Sequence, residues 1–197
     1  MKTAIENQFK LNISRVENLV KIYKRLLGGK GKGRRGHQET DILRAAIVLL
    51  HASVEDVLRS LASWKLPNAE HSELAKIPMI GTKDTKTNLG ELAKHREKSV
   101  DEVIKESVNA KLERSNYNNS TDVCALLQSI ALDTSTLAGY LQTLDESMQR
   151  RHQIVHRADA NLTSGSGNHK VKSIKPLTIE KWIENTKQFV IAVLNQV

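Results

Sequence analysis

Cysteine is almost missing from this chain. Cys124 stands alone, so no intramolecular disulfide can staple the fold. Aromatic residues make up 4% and prolines number 3, a composition that argues against a strand-rich sandwich and suits helices packed through Leu, Ile, Val and Ala. No apolar run approaches the roughly 18 residues that a membrane-crossing helix needs. The opening MKTAIENQFKLN lacks the unbroken apolar stretch of a signal peptide. The expectation is a cytoplasmic chain with no membrane partner. On that expectation sequons such as Asn12-Ile-Ser14 and Asn161-Leu-Thr163 carry no glycosylation meaning.

What is present is charge. Thirty Lys and Arg against 22 Asp and Glu leave a net +8 on 197 residues. Such a surface attracts polyanions, with nucleic acid the first partner to consider, although the same excess also serves plain solubility. The length suits one domain over residues 1–197, and its class is all-α.

Ile5, Phe9, Ile13, Val16, Val20, Tyr23 and Leu27 recur at steps of three and four, which predicts a helix over about 3–27. Residues 28–38, GGKGKGRRGHQ, read as a basic glycine-rich loop that suits either a phosphate contact or mere solvation; the P-loop pattern is absent. Leu43, Ile47, Leu50, Val54, Val57 and Leu61 form the stripe of a second helix, about 39–64. Arg44, His51 and Glu55 border that stripe, with His51 and Glu55 one turn apart on one face.

Prolines and glycines break residues 66–98, leaving one short helical piece near 88–94. Ser99 with Glu102 has the form of a capping box for a helix to about 113. SNYNNST, 115–121, is turn chemistry before a short helix from Thr121 to about 131, and Asp133 to Ser135 offer capping oxygens for the next one. In that next helix Leu137, Leu141, Leu144, Met148, Arg151 and Val155 keep a heptad-like seam, so an arginine fills an apolar slot. A buried arginine needs a carboxylate or a cleft. After Asp159 a long loop leads to a last helix with Thr178 as its expected cap.

Residues 150–157 read Arg-Arg-His-Gln-Ile-Val-His-Arg. His152 and His156 share a face, whereas Arg151 and His156 stand about 140° apart around the axis and about 7.5 Å along it. Arginine offers a planar fork to phosphate oxygens, and histidine transfers protons near neutral pH. Together they suit RNA cleavage, in which a base takes the 2′-hydroxyl proton, the oxygen attacks the adjacent phosphate, and cationic donors stabilise the gathering charge. DNA, lacking that hydroxyl, would be inert.

RHQIVH, Arg151 to His156, resembles the R-x4-H motif of the HEPN superfamily, His152 filling the polar place after the arginine. AAIVLLHASVEDVLRSL, residues 45–61, is similar to the preceding family helix, in which a carboxylate corresponding to Glu55 faces the motif. The branch it most resembles is the RiboL-PSP-HEPN group, over about residue 40 to the final helix. That resemblance implies an up-and-down helical bundle with long loops and a homodimer whose two R-x4-H helices share a composite cleft. It also implies cofactor-free, metal-independent endoribonuclease activity leaving 2′,3′-cyclic phosphate and 5′-hydroxyl ends. Arg151 would hold the scissile phosphate, His156 would act as general acid or base, and Glu55 would orient or charge-balance Arg151. His152, Gln153, Arg157 and His51 are supporting candidates, and Arg150 is expected to serve the RNA backbone.

HQIVH also has the spacing of the zincin motif, but Gln153 replaces the glutamate that activates water. The stronger alternative is a non-catalytic module that docks RNA, nucleotide or a partner protein on the same basic helix. If the chain does cut RNA, resemblance implies regulated toxicity, as in a toxin–antitoxin pair or anti-phage defence, with an antitoxin or regulatory protein as partner.

Overall fold

The computed structural model describes residues 1–27, 37–161 and 171–197. Eight α-helices are present among them: α1 (Lys2–Leu27), α2 (His37–Lys65), α3 (His71–Leu74), α4 (Leu89–Ala93), α5 (Val100–Arg114), α6 (Ser120–Ser129), α7 (Ala138–Arg157) and α8 (Pro176–Leu194). No strand forms among the described residues, and the all-α reading stands. An isolated antiparallel bridge joins Ala160 and Val171. Most of the basic glycine-rich segment 28–38 lies outside the described residues, as does most of the loop after Asp159.

The apolar stripes read from the sequence on α1 and α2 turn inward. Phe9, Ile13, Val16 and Val20 of α1 meet Leu43, Ile47, Leu50, Val54, Leu58 and Leu61 of α2, and Leu144 and Met148 of α7 with Ile183, Phe189 and Val190 of α8 complete one continuous core. Helix α2 is its axis, in contact with α1, α5, α6, α7 and α8. Helices α1 and α8 run antiparallel, because Lys24 pairs with Glu180, Glu17 with Lys187, and Lys2 reaches the Val197 carbonyl.

Helix starts follow local chemistry. The capping box forms as expected, with Glu102 N–H donating to Ser99 Oγ and Ser99 N–H to the Glu102 carboxylate. Asn88 caps α4 and Asn119 caps α6, which starts at Ser120, one residue earlier than the Thr121 start expected. The last helix opens at Pro176, not at Thr178: proline fits the first helical position because its missing N–H has no partner there anyway. Asp133 holds Ser135 N–H and Oγ, but the turn it caps is the short 3-10 stretch Ser135–Leu137 ahead of α7. Helix α3 and the 3-10 turn Leu66–Asn68 had no periodic signal, being too short to show one.

The seam of α7 runs out of the core at its far end. Leu144 and Met148 are fully buried, Arg151 is half-buried and Val155 is 48% exposed. The packed helix thus delivers its Arg/His-rich last turns to the surface.

Candidate active site at the end of helix α7

Arg151 leaves the core toward the linker between α5 and α6, where its Nη1 donates to Asn118 Oδ1 at 3.3 Å. Its Nε is buried with no hydrogen-bond partner among the described residues. Among the described residues no carboxylate lies within ion-pair distance of it. A half-buried guanidinium held by one neutral amide keeps most of its charge and donors available to an anion.

His152 and His156 are both exposed, and their rings are in tilted contact, 4.5 Å between centroids with 44° between planes. Arg157 beside them is exposed as well. These side chains occupy the solvent side of the turn that carries Arg151, so one helix end presents a fixed cation and two imidazoles. Gln153 faces elsewhere, its Oε1 accepting from Lys172 Nζ at 3.0 Å.

Glu55 and His51 lie deeper than a surface pair. His51 is buried, and its Nε2 stands 3.5 Å from Glu55 Oε1 without meeting hydrogen-bond geometry in either ring nitrogen. The Glu55 carboxyl is held below the usual glutamate range, first by His51 and then by the Arg59 charge and the Tyr117 backbone N–H, against the opposing effect of burial. The charge expected to face Arg151 is therefore spent on His51 and Arg59.

The α5–α6 linker is the physical link between Glu55 and Arg151. Arg59 on α2 donates to the Leu112 and Ser115 carbonyls and sits over the Tyr117 ring, 5.6 Å from its centroid. The Tyr117 backbone N–H contributes a small part of the lowering at the Glu55 carboxyl, and the next residue, Asn118, receives Arg151. On the far side Asp145 of α7 accepts from Ser120 N and Oγ at 2.7 and 2.6 Å. Asn118 was legible in the sequence only as turn chemistry, since nothing local says which helix a turn asparagine will meet.

Arg150 differs from its expected role on the RNA backbone. Its Nη2 donates to Asp159 Oδ2 at 2.7 Å and reaches the Lys172 and Ser173 carbonyls. Arg44 of α2 donates to the same Asp159 oxygen through Nε at 2.8 Å. Burial is the main cause pulling the Arg150 pKa below the ordinary arginine value, with Asp159 opposing and Arg44 assisting. Arg150 is an internal strut; the sequence signal missed was Asp159, which as a lone aspartate beyond a helix end looks like any loop residue.

Among the described residues no group of three or more His, Cys, Asp or Glu is placed to hold a metal ion, and no helix is long and apolar enough to cross a membrane.

A bundle whose central helix packs the one bearing R-x4-H, with a terminal helix closing the core, is a HEPN-type helical domain. The chain belongs to the RiboL-PSP-HEPN family, whose model matches residues 10–197. Ribonuclease activity is attributed to that family, and HEPN domains typically dimerise and bind RNA. No curated protein and no solved structure matches the chain.

Proposed function

We propose that the chain is a metal-independent endoribonuclease acting as one domain, with Arg151 and His156 carrying the chemistry and a second copy completing the cleft. The observation that carries this reading is Arg151: half-buried, without a carboxylate, and one turn from exposed imidazoles. A purely structural arginine in an apolar seam would be paired, as Arg150 and Arg44 are.

In the proposed reaction a neutral imidazole takes the 2′-hydroxyl proton, the freed oxygen attacks the adjacent phosphorus, and the bond to the 5′-oxygen breaks. A protonated imidazole returns a proton to that leaving oxygen. The products are a 2′,3′-cyclic phosphate and a 5′-hydroxyl, with no net oxidation. Arg151 donates to the non-bridging oxygens as their charge rises. Because Arg151 and His156 diverge by about 140° on one helix, a facing α7 from a second copy would supply the opposite side of the phosphate. His152 keeps His156 company by a tilted ring contact, and Arg157 lies where flanking phosphate would pass. Glu55 acts at one remove, through its attraction to Arg59, whose guanidinium holds the linker that presents Asn118. The setting that fits such an enzyme is regulated toxicity, with a neutralising protein partner.

The test is incubation of the purified chain with total RNA in excess EDTA, beside folded Arg151→Ala and His156→Ala variants. Cleavage leaving cyclic-phosphate ends, lost in both variants, is the expected result. Binding without cleavage would replace this reading with a docking module for RNA; equal cleavage by the variants would remove the site.

A further inference from the structure

We propose that Asp159 is a positioning residue for the site, fixing the last turn of α7 and with it His156. The proposal rests on the ribonuclease reading above for its catalytic consequence, and on the following geometry for its mechanism.

Helix α7 ends abruptly. Ala158 and Asp159 both adopt left-handed backbone, at φ 47° and 58°, a conformation that residues with a Cβ disfavour. Two such residues in succession persist only where the surroundings over-determine them. The surroundings here converge on Asp159, which is 0% exposed. Its N–H donates to the Gln153 carbonyl at 3.1 Å and its own carbonyl accepts from Lys172 N–H at 3.0 Å. Its Oδ2 takes Arg44 Nε from α2 and Arg150 Nη2 from α7. Both guanidiniums also reach the Lys172 carbonyl, so the same two arginines close the strap before α8 onto the helix end.

His156 sits three residues upstream and has no hydrogen-bond partner among the described residues; its contact is the ring of His152. Nothing distal fixes its imidazole. Its position follows from the backbone of the final turn, and helix ends fray unless tied. Asp159 is the tie. It works from beneath the turn, on the side of α7 away from the imidazoles, and touches no reacting atom.

The experiment uses the full chain with Asp159→Asn, which keeps size and one acceptor oxygen but removes the charge that gathers the arginines. Two readouts are taken below the melting temperature: kcat and KM on an RNA oligonucleotide containing a mapped cleavage site, and amide hydrogen exchange along α7. The expected result is a kcat lower by between about tenfold and a hundredfold with KM nearly unchanged, the cost of a catalytic group displaced by about an ångström. Exchange should accelerate at residues 154–158 while the α2 and α8 core amides stay protected. A folded variant with unchanged exchange in the last turn overturns the proposal, as does faster exchange with unchanged kcat. If Asp159→Asn does not fold, Arg44→Met removes one arm of the clamp from outside α7 and should give the same pattern at smaller amplitude. A wild type that cleaves no RNA overturns the ribonuclease reading, and the exchange measurement then still decides the clamp.

Discussion

Arg59 offers the sharpest link between stability and the site, because it pairs with neither Arg151 nor His156 yet holds the segment that meets Arg151. Its guanidinium donates to the Leu112 and Ser115 carbonyls at the end of α5, the first of which also accepts Ser115 N–H, and lies over the Tyr117 ring. Arg59→Met keeps the aliphatic stem and deletes the fork. With a charged donor on each carbonyl at about 1.5 kcal/mol, the low end for such bonds because the side chain is only half-buried, the loss is about 3 kcal/mol. For a chain of this size that lowers Tm by roughly 6–12 °C. Arg59→Lys retains charge but reaches at most one carbonyl well, so it should fall between the two. Circular dichroism at 222 nm during heating measures the shift, and RNA cleavage at a temperature where each variant stays folded measures the consequence for Asn118 and Arg151. A Tm within 2 °C of wild type for Arg59→Met would refute the reasoning, since the linker would then be held by something other than this fork.

Three further outcomes follow from the same structure. The Glu55 carboxyl has its pKa lowered on folding from the ordinary 4.5, so its contribution to stability is complete above that value and is lost as pH falls through the lowered one; urea unfolding in pH steps downward from 4.5 should show a steeper loss in wild type than in Glu55→Gln. Ser99→Ala opens the capping box of α5 and should cost about 1 kcal/mol in the same assay, while leaving RNA cleavage per folded molecule unchanged, because the cap lies at the end of α5 away from the linker. Leu144→Ala removes a fully buried side chain on α7 and should cost about 2–5 kcal/mol, with a loss under 1 kcal/mol arguing that α7 is not packed as described.

The sequence by itself determined the class of fold and most of its elements. Period-3.6 stripes named the long helices to within two or three residues, Ser99 with Glu102 marked the start of α5, and the arginine in the α7 seam flagged where the core would open. These are local facts, written in side chains three and four apart. The RHQIVH motif was likewise local, and it pointed to the family that the model over residues 10–197 gives. Only the tertiary structure decided which partners the polar groups would find. Arg150 and Arg151 are neighbours in the chain, yet a step of about 100° sends one to a buried aspartate and the other to a turn asparagine. Glu55 looked poised for Arg151 but is drawn to His51, Arg59 and the Tyr117 amide, because the linker between α5 and α6 occupies the space beside it. Asp159 and Asn118 gave no periodic or motif signal. Their roles exist only because α2, α7 and the α5–α6 linker meet, a juxtaposition of residues more than 30 apart in sequence that no local pattern encodes.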